Sequence, residues 1–300
     1  MELFDALRQR SSARAYSMQV PGNRIQVDLL NYLNNVPVLL PEADIAIELL
    51  AFEDMVDYFP SLAYAMVHAP LYLAFRGSLE LYQLMNVGYY AQHASVWLTS
   101  QGLSSVWQTG FRFETVREDE VFYDEDPTAS ASLSGDEALM PAVLALGYPA
   151  KKARRKQVPK YKLRKLLLNR DKTPPANNLL TLLEAARLAP SEYNLQPWRF
   201  ATEGEDMIHL FMKDSFLFRS PQRRQMQQAA IGCALGNMEI MAALKGIEME
   251  YGFMTRIPEH GAESKHLHYM GTVRIEKVWR QMMFGFDPEK RTEEEIFPYY

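Results

Sequence analysis

The chain has 300 residues, 48% of them hydrophobic and 23% charged, which is ordinary for a globular protein and enough for one large domain or two smaller ones. Its net charge of -5 argues against a nucleic-acid-binding protein, and its single cysteine excludes an internal disulfide framework. The charged N-terminus and the lack of an apolar run of about 18 residues predict a cytoplasmic protein that contacts neither nucleic acid nor membrane.

Near the start of the chain two arginines flank a pair of serines, in the order Arg10, Ser11, Ser12 and Arg14. A guanidinium is permanently charged and its forked N–H groups pair with phosphate oxygens, so this arrangement suits a phosphate with a polyol chain. A solvated basic helix end is the commoner outcome of such a run. The residues alone leave both interpretations open.

Two later segments, 86–103 and 230–247, share small and apolar residues at helical spacing. Each contains two glycines 14 residues apart: Gly88 with Gly102, and Gly232 with Gly246. The pattern predicts two long helices that are buried on more than one side, each ended by a glycine with positive φ.

The shorter elements around these helices follow the same order in both halves of the chain. A short helix opens at Leu29 and at Leu179, and strand-like segments follow the long helices at 104–113 and 248–255, with a further strand at 141–148. Each half is predicted to run helix, strand, long helix, strand and strand. The shared order indicates a tandem duplication, and the interleaving predicts sheets covered by helices.

A basic run at residues 151–160 breaks the hydrophobic pattern and is typical of a solvated linker. It marks the predicted boundary between a first repeat at 1–156 and a second at 157–278. The remaining arm, 279–300, has no counterpart in the first half.

The most specific segment is a tight turn between a helix ending at Leu188 and a strand that opens after Gln196 and Pro197. The turn consists of Pro190, Ser191, Glu192, Tyr193 and Asn194. Short side chains and free backbone N–H groups would let a flat ligand approach closely, although a helix-to-strand connector needs no ligand.

Two strings carry a family resemblance. The string A-P-S-x-x-N-x-Q-P-W-R-F at 189–200 resembles the flavin-contacting turn of the FMN-dependent nitroreductases, and R-x-S-x-R-x-Y at 10–16 resembles a segment near their start. In that family the site lies across a homodimer interface, whereas here each half keeps one of the two motifs. The resemblance, over about 3–276, therefore implies an α+β fold: a tandem duplication of a nitroreductase-like α/β/α sandwich, forming an intrachain pseudo-dimer with one flavin site. The counterpart segments, 36–44 and 161–169, lack both motifs.

The resemblance also implies FMN as the cofactor and assigns roles to its neighbours. Arg10 and Ser12 would anchor the phosphate, Arg14 would face N1 and O2 of the flavin, and Thr109 and Gly110 would lie near N5. The complete set of implied cofactor-binding residues is Arg10, Ser11, Ser12, Arg14, Gln108, Thr109, Gly110, Arg154, Arg155, Lys156, Pro190, Ser191, Glu192, Tyr193 and Asn194. Glu192 departs from the small residue usual at its position.

The activity implied is hydride transfer from NAD(P)H, a transient co-substrate, to FMN N5 and then to an electron-poor small molecule such as a nitroaromatic or a quinone. No catalytic side chain is required, because the cofactor carries the chemistry. An alternative is a non-catalytic sensor or interaction protein that binds a flavin or nothing. Since the dimer interface is internal, a monomer is expected. No metal site is predicted, because His260, His266 and His268 lack partners at ligand spacing.

Overall fold

The computed structural model describes residues 1–41, 45–59, 66–77, 81–109, 142–150, 158–169, 174–214, 221–255 and 266–276. The first half contains α1 (Leu3–Gln9), α2 (Asn23–Asn34), β1 (Ala46–Ala51), α3 (Phe52–Tyr58), β2 (Leu71–Arg76), α4 (Leu81–Ser100), β3 (Ser104–Thr109) and β4 (Ala142–Gly147). The second contains α5 (Asn177–Arg187), β5 (Trp198–Glu203), β6 (Met207–Lys213), α6 (Pro221–Lys245), β7 (Glu248–Gly252) and β8 (Leu267–Glu276). Gly110, Arg154, Arg155, Lys156, His260 and the predicted arm 279–300 lie outside the described residues.

The strands form two four-stranded sheets with the same order, β1-β2-β4-β3 and β5-β6-β8-β7. Every neighbouring pair in both sheets is antiparallel. The prediction of one strand before each long helix was wrong, because β2 and β6 were missed. All residues of β2 except the last are buried, so it has none of the alternation that marks a half-exposed strand.

Helices α4 and α6 pack along each other more extensively than any other pair of helices. Both lack a polar face and are buried along most of their described length, as predicted. Gly102 and Gly246, which follow their C-terminal ends, have φ of 78° and 63°. The predicted left-handed termini are therefore confirmed.

The two helices touch backbone to backbone at matched glycines. A Cβ added at Gly88 would lie 1.9 Å from the carbonyl oxygen of Ala229, and one added at Gly232 would lie 2.0 Å from that of Met85. Ala229 and Met85 each stand three residues before the glycine of their own helix. The contact is thus reciprocal, which is the pattern of an interface between equivalent surfaces.

A buried polar contact lies near this crossing. The side-chain amide of Gln92 on α4 donates to Oδ1 of Asn237 on α6 at 2.6 Å, and Nδ2 of Asn237 donates to the carbonyl of Ala185 at 2.9 Å. Both amide side chains are buried, so the pair ties α4, α6 and α5 together in one relative position. Among the described residues, no helix is both long and apolar enough to cross a membrane.

Candidate functional site

A cavity of about 350 Å³ lies between the two halves of the chain. From the first half it is lined by Ser12, Arg14, Val106 and Trp107, and from the second by Pro190, Ser191, Glu192, Tyr193, Met226, Ala229, Ala230 and Cys233. The N-terminal motif and the turn at 190–194, which are far apart in sequence, therefore meet at one site. Trp107 and the small residues of α6 join them; no motif marked these residues in the sequence.

The N-terminal motif reaches the cavity as an extended segment fixed to the first sheet. Ser12 forms a parallel bridge with Ser105, and the N–H of Ala13 donates to the Ser105 carbonyl at 3.3 Å. Successive side chains of extended backbone point in opposite directions. Ala13 is buried, whereas Ser12 and Arg14 on either side of it are exposed and line the cavity.

The turn in the second half is closed by its own hydrogen bonds. Residues 192–194 form a single 3₁₀ turn, in which the N–H of Asn194 donates to the Ser191 carbonyl at 3.0 Å. The N–H of Gln196 donates to Oγ of Ser191 at 2.9 Å. The N–H groups of Asn194 and Gln196 are therefore satisfied within the turn and its flank. Tyr193, Asn194 and Gln196 have φ of 47°, 58° and 52°.

Residues just after the predicted boundary hold this turn in place. Nδ2 of Asn194 donates to the carbonyl of Pro159 at 2.8 Å, and Oε1 of Gln196 accepts the N–H of Tyr161 at 2.7 Å. Nζ of Lys160 donates to the Ala189 carbonyl at 2.5 Å and to Oδ1 of Asn194 at 3.2 Å. Asn194 thus faces residues 159–160 and does not line the cavity.

Two cations from opposite halves, Arg10 and Lys160, lie close enough for their charges to act on each other and on Cys233 in the cavity wall. The pKa of Lys160 is lowered to about 8, first by burial and then by the positive charge of Arg10. Burial also lowers the pKa of Arg10. In the described part of the chain, neither forms an ion pair with a carboxylate. Sequence reasoning missed Lys160, because one lysine within a basic run carries no distinguishing signal.

Cys233 marks the point where the cavity approaches these cations. Burial raises the pKa of its thiol to about 12, although the nearby charges of Arg10 and Lys160 act in the opposite direction. The thiol therefore stays protonated near neutral pH, which agrees with the buried, unreactive cysteine expected from its place in a core helix.

Ser11, Gln108 and Thr109, the other described residues of the predicted set in the first half, do not line the cavity. Ser11 is buried, and Oε1 of Gln108 accepts the N–H of Val67 at 2.7 Å. The backbone of Thr109 pairs with Ala142 at the end of β3. Gly110 and the cluster at 154–156 lie outside the described residues. Where the chain is described, no group of three or more metal-ligating side chains comes together.

Gly88 and Gly232 are related by a sequence spacing that also relates two cavity residues to two tyrosines. Tyr82 on α4 precedes Met226 by as many residues as Gly88 precedes Gly232, and Tyr251 on β7 follows Trp107 by the same number. The ring centroids of Tyr82 and Phe253 lie 5.2 Å apart, and those of Tyr251 and Phe253 lie 5.8 Å apart. Tyr82, Tyr251 and Phe253 therefore form a cluster of aromatic rings.

Comparison with known proteins identifies the architecture. A family model described as "Putative TM nitroreductase" matches residues 2–242. A "putative nitroreductase" from Thermotoga maritima MSB8 is similar in structure, with a TM-score of 0.56 and 17% identity over 92% of this chain and 93% of that one. The predicted mixed helix-and-sheet fold is confirmed. No curated protein sequence matches.

Two further solved structures match about half of the chain. An FMN and NADPH-dependent nitroreductase from Sphigopyxis sp. strain HMH is 16% identical, with a TM-score of 0.44 over 55% of this chain and 97% of that one. An FMN-dependent nitroreductase from Clostridium difficile is 13% identical, with a TM-score of 0.39 over 51% of this chain and 91% of that one.

Proposed function

Because the chain belongs to the nitroreductase family whose model matches residues 2–242, we propose that it is an FMN-dependent oxidoreductase with NAD(P)H as transient co-substrate. When bound, FMN would supply hydride transfer from NAD(P)H to an electron-poor acceptor such as a nitroaromatic or a quinone. The observation that supports this best is the cavity itself, which brings the exposed Ser12 and Arg14 against the turn at 190–193.

The positive charges of Arg10 and Lys160 could bind the phosphate of FMN. Burying a charge without a partner is costly, yet Arg10 and Lys160 lie together with no carboxylate paired to either in the described residues. A phosphate dianion would balance both charges and accept their N–H groups in charge-assisted hydrogen bonds. We assign phosphate anchoring to Arg10, Lys160 and the hydroxyl of Ser12.

Arg14 provides a different kind of contact. Arg14 lies on the exposed, cavity-facing side of the N-terminal segment. A fixed cation at the pyrimidine edge of a flavin would stabilise the negative charge that accompanies reduction. Asn194, in contrast, acts by holding the turn against residues 159–160.

The two halves are proposed to form an intrachain pseudo-dimer of repeats 1–156 and 157–278, with one FMN site. Identical strand orders and reciprocal glycine contacts support the duplication. The aromatic cluster of Tyr82, Tyr251 and Phe253 supports a single site, because under this duplication Tyr82 corresponds to Met226 and Tyr251 to Trp107, so that rings would fill the counterpart of the cavity. With the interface between repeats already internal, the chain is proposed to be a monomer.

The decisive experiment is to add excess FMN, remove what is unbound, and record the flavin absorbance. One FMN per chain that is bleached by NADH or NADPH and restored by a quinone is expected. A colourless protein would overturn the proposal in favour of a non-catalytic relative.

Arg14→Met should slow the bleaching about tenfold or more through loss of charge stabilisation. Arg24→Met, at an arginine whose side chain is 94% exposed on α2, is the matched control and should behave as wild type. Light scattering should give the mass of one chain.

A further inference from the structure

Tyr193, in the turn at 190–194, has a backbone conformation that disfavours a tyrosine. Tyr193 has φ of 47°, in the left-handed region that glycine and asparagine tolerate and bulky side chains avoid. Its neighbour Asn194, with φ of 58°, belongs to the tolerant class. A glycine or asparagine at position 193 would form the same turn at lower conformational cost.

The side chain of Tyr193 is also unusually exposed. It is 73% exposed, more than any other exposed large hydrophobic residue in the described part of the chain. Burial in the core therefore does not explain the choice of tyrosine, and the strained backbone opposes it. Strain of this kind is concentrated at functional sites, where a side chain is placed for a ligand.

The location of Tyr193 indicates what that ligand is. Its side chain lines the cavity together with Trp107, which comes from the other half of the chain. Aromatic rings prefer offset-stacked or edge-to-face contacts with other flat rings, and an electron-rich phenol suits an electron-poor partner. An acceptor without a ring gains nothing from such a contact.

We propose that Tyr193 is a specificity-determining residue that packs against flat aromatic acceptors in the cavity and favours them over acceptors that lack a ring. This assignment rests on the proposed function, because only an oxidoreductase of this kind has an acceptor to select.

The test uses the FMN-loaded protein with menadione as an aromatic acceptor and ferricyanide as an acceptor without a ring. Tyr193→Asn keeps a residue that tolerates positive φ but removes the ring, whereas Tyr193→Phe keeps the ring. The KM for menadione should rise roughly 3- to 10-fold in the Asn variant and stay unchanged in the Phe variant. The KM for ferricyanide should not change in either.

Tyr58→Asn is the matched control, since Tyr58 on α3 is another exposed tyrosine and does not line the cavity. It should leave both KM values unchanged. An equal rise for both acceptors in Tyr193→Asn would overturn the assignment, because it would show a general disturbance of the turn. An unchanged KM for menadione would overturn it as well.

A titration with naphthalene-2-carboxylate, a flat aromatic that is not an electron acceptor, separates this inference from the proposed function. Isothermal calorimetry should show a Kd weakened by a similar factor in Tyr193→Asn and unchanged in Tyr193→Phe. This measurement needs no turnover. If NAD(P)H failed to reduce the wild-type protein, the proposed function would fail, and an unchanged Kd in Tyr193→Asn would separately overturn the role of Tyr193.

Discussion

Replacing Gly232 by alanine tests the helix crossing on which the fold and the cavity depend. The new Cβ would lie 2.0 Å from the backbone carbonyl oxygen of Met85, and real Cβ atoms essentially never approach closer than 3.0 Å. Because the opposing atom belongs to the backbone of α4, no side chain can rotate away. Helices α4 and α6 would have to separate by about 1 Å, which disturbs packing on both sides of the crossing.

Two effects oppose each other in this variant. Overpacking a core costs about 1–3 kcal/mol, and a backbone collision places Gly232→Ala at the upper end of that range. In the opposite direction, alanine in a helix interior is more stable than glycine by about 1 kcal/mol, because of its higher helix propensity. The net loss should therefore be about 2 kcal/mol in the free energy of unfolding.

Urea denaturation followed by circular dichroism measures this loss. With an m-value of about 3 kcal/mol/M, the midpoint should fall by roughly 0.7 M. Gly236→Ala, on the same helix, is the matched control, because its Cβ would lie 3.0 Å from the Tyr89 carbonyl oxygen. Equal midpoints for the two variants would refute the reasoning. Gly88→Ala should lower the midpoint by as much as Gly232→Ala. The double variant should lose less stability than the sum of the two, because one separation of α4 from α6 relieves both contacts.

Three further predictions concern the cavity and its cations. Arg10→Met should weaken FMN binding by roughly 1.5–3 kcal/mol, which is the scale of a hydrogen bond to a charged group. In a fluorescence titration, the same variant should bind riboflavin, which lacks the phosphate, as the wild type does. An equal loss of affinity for both ligands would show that Arg10 does not bind the phosphate. The affinity for FMN should decrease as the pH rises through about 8, because the pKa of Lys160 is lowered to about 8 and only its protonated form carries the charge that attracts the phosphate. In the variant Lys160→Met the affinity for FMN should no longer depend on pH in this range. The variant Lys162→Met, at an exposed lysine, should keep the dependence. Identical pH profiles in the two variants would exclude a role of Lys160 in binding the phosphate. Cys233 should resist thiol reagents at neutral pH, because its pKa is raised to about 12, and react only after unfolding; fast labelling of the folded protein would contradict this.

The sequence predicted the features that depend on local pattern. Small residues at helical spacing located α4 and α6, and Gly102 and Gly246 marked their ends, because a left-handed terminus has a strong residue preference. The turn at 190–194 and the motif at 10–14 were found by resemblance, and three-dimensional packing brings them to one cavity.

Features that depend on long-range packing were not predictable. Strand β2 was missed because five of its six residues are buried and show no alternation. The turn's own hydrogen bonds and the contacts of Lys160 involve residues that no local pattern singles out. Trp107 joins the cavity through the register of β3, which a single sequence does not fix.

The reciprocal contact of Gly88 and Gly232 also bears on how such a chain can evolve. In a homodimer every substitution occurs twice, so a change that improves one site alters its copy as well. In the proposed pseudo-dimer each half mutates independently. Both halves carry a glycine at the crossing, whereas Met226 lines the cavity and Tyr82 belongs to the aromatic cluster. Joining two equivalent surfaces in one chain thus allows one flank to specialise for ligand binding and the other for stability.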